Sequence, residues 1–543
     1  MNKQFIENKT IKDISDISFS KFSDNDFLCS PSNKSNTKVR NYSYSDVKNL
    51  LLKYTSYFKS LNLKHSERVS VIVGNIPEYF IIKLSLNYIG LSCVPLNNEL
   101  TLDEIAFIVK HSESKLIIAN NMHINNIKKI ILKIKKKVGL SLFEKNTITT
   151  VIKIKRNNLY KNTKITPSDE ASLLYTSGTT GKPKACILSH FYEINSGYSY
   201  AIKKGFISIK REKERLYNCL PVHHVNSGVL SFYAILITGN CQIQSKRFSA
   251  KSFWEEIKYS KATIFHYLGV IVSILLKQKY KEIEINNCLR LGVGAGIEPS
   301  LHNKFEKRFN IPMIELWGMT EMVRCIYDHR KSRVIGKRRF GKADTTLEVK
   351  IINNEGKAVI NKEGELLIRY SKANPKKGFF SGYYKNKKAT EEVWKNNWFH
   401  TGDVVIKDQK DYLYFVDRKK NIIRRAGENI SAAEVEAALL ALEIVKNCAV
   451  IAFPHEIYEE EVLAFIVVKG SKNFGKVKAQ NILNLLIKKI SYYKLPGYIQ
   501  FTNSIPITST QKIVKSELLK KIKLEDKSRL FDLCDYKKLL KTN

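Results

Sequence analysis

LYTSGTTGKPKACILSH, residues 174–190, runs from an apolar start through an unbroken Ser, Thr and Gly series into Lys-Pro-Lys. Gly178 and Gly181 let the backbone approach an anion closely. The hydroxyls of Thr176, Ser177, Thr179 and Thr180 and the amine of Lys184 supply donors to phosphate oxygens. The stretch reads as a phosphate-cradling loop set behind a strand. It is not the loop of the P-loop NTPases, where four residues separate the glycines, because Gly178 and Gly181 enclose two.

Outward from this loop, strand and helix alternate. Val47, Leu50, Leu51, Tyr54, Phe58 and Leu61 recur at helical spacing after Ser45, which predicts a helix with Ser45 as N-cap. ERVSVIV (67–73), GNIPEY as a helical stretch, and GLSCVPLNN then give strand, helix and strand, the order of right-handed parallel βαβ units. KLIIANN (115–121) and TITTVIKI (147–154) continue the pattern, with a Lys/Ile-rich helix between them. Downstream, ATIFHYL, CLRLGVGAG and MIELWGMTE read as buried strands running into Gly-containing turns, where α/β proteins place ligands. Beyond residue 334 the texture changes to strands and turns (LEVKIINNEGK, GELLIRY, YLYFVDR), then to a tail with the helices SAAEVEAALLAL and KAQNILNLLIKKI.

With 543 residues, 43% hydrophobic, the chain has apolar material for several cores, which excludes collagenous, low-complexity and wholly disordered classes. The formal charge of +40 raises nucleic acid or an anionic membrane as partner. Lys supplies 73 of the 91 basic residues, and the net charge per residue is nearly equal on both sides of residue 417. A nucleic-acid reader concentrates its charge and favours Arg, so a diffuse, solvated lysine surface is expected and no nucleic-acid partner. The 9 cysteines are scattered without CxxC or Cys/His ligand spacing and read as reduced thiols. MNKQFIENKTIKDISDISFS has no apolar run of signal-peptide length. The most apolar later stretch, 225–241, falls short of the roughly 20 residues of a membrane span. A cytoplasmic protein without a transmembrane segment is expected.

YTSGTTGKPKA resembles the signature loop of the adenylate-forming (AMP-binding) superfamily, which holds acyl- and aryl-CoA synthetases, adenylation domains of nonribosomal peptide synthetases and beetle luciferases. Other stretches resemble the family in order. RVSVIVGNIPEY with LNYIGLSCVPLNN is similar to its N-terminal region, LPVHHVNS to its substrate-side histidine stretch and ELWGMTE to its second nucleotide stretch. GYYKNKKATEEVWKNNWFHTGDV and DRKKNIIRRAGENISAAEVE are similar to its ribose region and hinge, and IPITSTQKIVKSEL to its C-terminal lysine stretch. HVN, RRAGENIS and TSTQK look most like the crotonobetaine/carnitine-CoA ligase-like branch, whereas Arg339-Phe340-Gly341 departs from the family's usual small residue before Val-Gly.

The resemblance implies an α/β fold. Residues 1–417 would form a large N-terminal AMP-binding domain of layered α/β subdomains plus a small β-barrel-like part, and 418–543 a small mobile α+β domain carrying the catalytic lysine. It implies an AMP-forming acid-thiol ligase that uses ATP, Mg²⁺ and coenzyme A. By resemblance Lys512 bridges the acid carboxylate and the α-phosphate, Thr320 contacts the α-phosphate, and Glu321 helps hold the metal, Mg²⁺. Asp403 and Arg418 hold the ribose, and Gly294, Ala295, Gly296 and Trp317 flank adenine and the acyl chain. Lys420 is the hinge, Gly427 leaves room for pantetheine, and His224 and Tyr233 face the substrate pocket.

The partner that the resemblance implies is a small carboxylic acid. The run 221–226 lacks the carboxylate that amino-acid-activating members use for an α-ammonium, so an α-amino acid is disfavoured. An acid bearing a quaternary ammonium would need aromatic faces such as Trp317 and Tyr233. Two alternatives stay open: acyl transfer to a carrier-protein phosphopantetheine, and a nucleic-acid or membrane-surface binder on a retired ligase fold. By family the assembly is a monomer or homodimer.

Overall fold

The computed structural model describes residues 6–31, 40–134, 137–154, 156, 159–176, 183–425, 428–456, 458–470, 474–507, 513–514, 517–518 and 529–540. By compactness these fall into two units, one of 1–348 with 369–397 and one of 349–368 with 398–543.

The first unit contains two eight-stranded sheets. One runs in the order Gly382–Tyr383, Lys184–Ser189, Glu170–Thr176, Ser92–Pro95, Arg68–Ile72, Leu116–Asn120, Gly139–Glu144, Thr147–Ile152. Its centre is parallel, with Arg68 opposite Ser92 and Val69 opposite Leu116, as βαβ connections require. Gly139–Glu144 is a strand that sequence reading passed over. It takes the parallel place beside Leu116–Asn120, so Thr147–Ile152 folds back on it as the antiparallel arm of a hairpin. The helix expected after Ser45 spans Tyr44–Ser60 and is capped by Ser43. Ser43 Oγ accepts from the Asp46 N–H at 3.0 Å while Asp46 Oδ2 accepts from the Ser43 N–H at 2.9 Å, and this reciprocal pair outcompetes Ser45 as the start.

The second sheet runs Met322–Tyr327, Met313–Met319, Leu291–Ala295, Ile264–Leu268, Arg215–Asn218, Cys241–Gln244, Asp26–Cys29, Asn41–Ser43. Asp26–Cys29 lies parallel to Cys241–Gln244, with Leu28 opposite Gln242. Helices Glu78–Asn87 and Phe232–Thr238 are buried along their entire length, and His190–Ala201 nearly so. Helices enclosed on all sides are expected to be apolar on all sides. Lys83 and Glu193 break that rule and answer each other at 2.6 Å.

In the second unit, Glu363–Arg369 and Leu413–Arg418 flank Trp398–Lys407 antiparallel. A separate sheet centres on Glu459–Val468, paired antiparallel with Val445–His455 and parallel with Tyr498–Phe501. Helices Ala432–Leu440 and Lys476–Leu486 close over its core through Val435, Leu439, Ile482 and Leu486. None of the nine cysteines is in a disulfide. No helix among the described residues is long and apolar enough to cross a membrane.

Candidate active site

Strands Glu170–Thr176 and Lys184–Ser189 are antiparallel, with Thr176 opposite Lys184 and Thr176 Oγ1 donating to the Lys184 carbonyl at 3.3 Å. The two ends of the phosphate-loop stretch therefore stand side by side. Ser177, Gly178, Thr179, Thr180 and Gly181 lie outside the described residues. Gly382–Tyr383 pairs on the next edge, Tyr383 opposite Cys186, and Lys184 Nζ stands 5.0 Å from the Tyr383 ring centroid. The Tyr383 hydroxyl donates to Glu321 Oε1 at 2.5 Å. Thr320 and Glu321 make the turn between Met313–Met319 and Met322–Tyr327. The Thr320 carbonyl accepts from Tyr192 Oη at 2.6 Å, and that of Glu321, a buried residue, accepts from the Phe380 N–H at 2.9 Å. Three segments distant in sequence thus gather an ammonium, a phenol and a carboxylate. Tyr383 was missed: it sits in a motif-like stretch, but nothing local marks which of its residues reaches Glu321.

Leu291–Ala295 delivers Gly294 and Ala295 to its end, and Gly296 follows at φ +79°, a region that favours glycine. A Cβ on Gly269 would stand 1.6 Å from the Gly296 carbonyl oxygen, so these two turns meet backbone to backbone. Glu315, at the head of ELWGMTE, accepts from the N–H groups of Gly296 at 3.1 Å and Ile297 at 2.9 Å. Burial pushes its carboxyl up to about 7. Trp317 is buried with the Phe340 ring 6.1 Å away, and Arg339 pairs with buried Asp328 at 2.9 Å. Phe340 thereby packs beside the strand that carries the motif, while Arg339 is held by a carboxylate just past the next strand.

The loop after Arg215–Asn218 carries His224, whose N–H donates to the Pro221 carbonyl at 3.0 Å. Its ring lies 4.5 Å from that of His223, whose imidazole burial pushes down to about 4. From Asn226 to Ser231 the chain winds as a π-helix, a form common at functional sites. Gly228 is needed there, since a Cβ would stand 2.2 Å from the Val222 carbonyl oxygen. Tyr233, on Phe232–Thr238, is wholly buried, with Lys83 Nζ 5.1 Å from its ring centroid.

In the second unit Asp403 and Arg418 are opposite residues on paired strands, Nε to Oδ1 2.7 Å. The carboxylate is buried and the guanidinium partly exposed, an acceptor beside a solvent-reaching donor that suits a diol. Asp417, which sequence reading passed over, ties this strand to the helix Ala432–Leu440. Its Oδ2 accepts from Ser431 Oγ at 3.0 Å and the Ala433 N–H at 2.9 Å, and its Oδ1 from Asn421 Nδ2 at 3.0 Å. Those bonds bracket the single turn Lys419–Asn421 that contains Lys420. Asp417→Ala is expected to cost about 1–3 kcal/mol by stranding these donors. Urea unfolding checks this, and an unchanged midpoint contradicts it. Gly427 and Lys512 lie outside the described residues, although Ile507 and Ile513 on either side of 508–512 pair as an antiparallel bridge.

The AMP-binding enzyme family matches residues 20–384, and the AMP-binding enzyme C-terminal domain matches 434–512. Crotonobetaine/carnitine-CoA ligase of Salmonella arizonae is 25% identical over 497 residues, covering 89% of this chain and 93% of the relative. That of Proteus mirabilis is 25% identical over 498 residues with the same coverage. Among solved structures, the anthranilate CoA ligase AuaEII in complex with anthranoyl-AMP superposes with a TM-score of 0.80 at 20% identity, covering 95% of this chain and 98% of that one. ATP-bound MatB from Rhodopseudomonas palustris gives 0.78 at 19% identity over 95% and 99%. At these identities the structures share the fold.

Proposed function

Because the chain belongs to the AMP-binding enzyme family, we propose that it is an acid-thiol ligase. A carboxylate attacks the α-phosphate of ATP, giving acyl-AMP and pyrophosphate. The thiol of coenzyme A then attacks the acyl carbonyl, giving the thioester and AMP. The supporting observation is the cluster of Lys184, Tyr383 and Glu321 at the foot of the phosphate-loop hairpin. Relatives named as CoA ligases along nearly their full length support the acceptor.

Two anions must meet in the first step, so the site needs cations and donors that act most strongly in the transition state. Lys184 and residues 176–181 would hold the phosphates, and Thr320 the α-phosphate. Glu321 offers the hard oxygen that Mg²⁺ takes together with phosphate oxygens, and Mg²⁺ when bound supplies charge neutralisation there. Tyr383 donates to Oε1, and Oε2 would be the oxygen available to a metal ion. Asp403 and Arg418 would take the ribose hydroxyls, with Gly294, Ala295, Gly296 and Trp317 beside adenine and the acyl chain. Residues 418–543 would swing about Lys420 against 1–417, bringing Lys512 for the first step and Gly427 beside pantetheine for the second. The protein would work in the cytoplasm, as monomer or homodimer. A quaternary-ammonium acid finds the Tyr233 face already taken by the Lys83 ammonium.

Acid-dependent AMP release, with a panel of short, medium, aromatic and betaine acids and with or without CoA, tests this. AMP is expected with at least one acid and thioester with CoA. Thioester appearing only with a carrier protein moves the acceptor to that protein, and no AMP from any acid removes the ligase assignment.

A further inference from the structure

Four adjacent parallel strands of the second sheet, Arg215–Asn218, Ile264–Leu268, Leu291–Ala295 and Met313–Met319, end along one edge. The segments leaving them carry His224, Gly269, Gly296 and Thr320. The carboxyl edge of a parallel sheet is where α/β folds take ligands. A chain of buried polar groups lies under this edge, and the chemistry above does not use it.

One backbone group sets the orientation of the whole chain. The Leu220 N–H donates to Asn218 Oδ1 at 2.9 Å, which makes Asn218 Nδ2 the donor end. Nδ2 donates to Ser231 Oγ at 3.1 Å and Asn226 Oδ1 at 3.2 Å. His266 Nδ1 lies 2.7 Å from the same Asn226 oxygen and carries its proton there, so Nε2 accepts from the Tyr200 hydroxyl at 3.2 Å. His266 is fully buried, and burial pushes its imidazole down to about 3, leaving one proton to give. The Asn226 oxygen is therefore held inward by two donors and its NH₂ turned away from them. Among the described residues that NH₂ makes no hydrogen bond. Asn226 itself is half-buried, whereas 227–231 are buried.

We propose that Asn226 selects the acid: its Nδ2 donates to an oxygen acceptor on the part of the substrate away from the reacting carboxyl. The substrate class is an oxygen-substituted carboxylic acid, carrying a keto or hydroxyl oxygen, rather than a plain alkyl or a quaternary-ammonium acid. A locked donor costs little reorganisation when the acceptor arrives, and an acid lacking one leaves it unpaired. The amide's partial positive charge also opposes a cationic substituent. This deepens the ligase assignment and rests on it.

The test compares wild type, Asn226→Asp and Asn226→Leu in AMP release on acids of equal length, with and without a keto or hydroxyl group at successive positions. Wild type is expected to prefer the oxygenated member at one position by about tenfold or more in kcat/KM. Both variants are expected to lose about 10- to 100-fold on that acid and less than about threefold on the plain one. Asn226→Asp keeps the oxygen that His266 and Asn218 hold, so it controls for folding. Equal losses on both acids, or a wild-type preference for the plain acid, overturn the proposal while leaving a ligase. Wild type releasing AMP with no acid removes the ligase assignment and this proposal together.

Discussion

Lys512→Ala is expected to lower acid-dependent pyrophosphate exchange by at least ~10²-fold, the cost of losing one transition-state donor. An amine set between carboxylate and α-phosphate neutralises charge that builds as the two anions approach. Its loss therefore falls on kcat more than on KM. Thioester formation from supplied acyl-AMP involves no such meeting of anions and is expected to survive. Lys512→Arg keeps the charge without the compact ammonium and is expected to restore only part of the rate. Lys395, exposed in the first unit, serves as the control, since its replacement by alanine is expected to change nothing. Full retention of exchange in Lys512→Ala would falsify the role and leave Lys512 as one more of 73 lysines.

Lys83→Met is expected to destabilise the protein by about 3–5 kcal/mol. Lys83 and Glu193 are 1% and 0% exposed at 2.6 Å, and Lys83 Nζ also donates to the Gly228 carbonyl at 3.0 Å. Removing the ammonium strands a carboxylate in the interior, and that stranding is the main cost. Lys83→Met with Glu193→Leu removes both charges and is expected to recover most of the loss, a coupling that a double-mutant cycle in urea reads directly. A single variant no less stable than the double would show that the pair carries no such weight. Gly228 lies in the π-helix that presents Asn226, so the single variant is also expected to blunt discrimination between acids.

The two strands that flank the phosphate-loop stretch, the strand-helix alternation and the motif strands were legible because each rests on neighbours in sequence: an apolar run, a glycine at a turn, a fixed spacing. What was not legible depends on distant partners. Tyr383 finds Glu321 across 62 residues, and His266 finds Asn226 across 40. Nothing around Lys83 in EYFIIKLSLN marks its partner, Glu193, 110 residues on. Asp417 stood beside a motif arginine, yet its side chain serves a helix that begins fifteen residues later. The displaced cap, Ser43 for Ser45, was a local contest decided by the reach of Asp46. The strand 139–144, as long as the one after it, was hidden by the stronger β-branched run that follows it.

The parallel pairing of Asp26–Cys29 with Cys241–Gln244 also has a consequence for synthesis. Cys29 and Cys241 are 212 residues apart. At about 5–20 residues per second a ribosome needs about 10–40 s to bridge that gap. Phe27, Leu28 and Cys29 have no exposure in the finished fold, and with Asn41–Ser43 on one side they wait through that interval for the parallel strand on the other. The yield of active protein in a cell is then expected to depend on how well the nascent chain is shielded during those seconds as well as on the stability of the completed molecule.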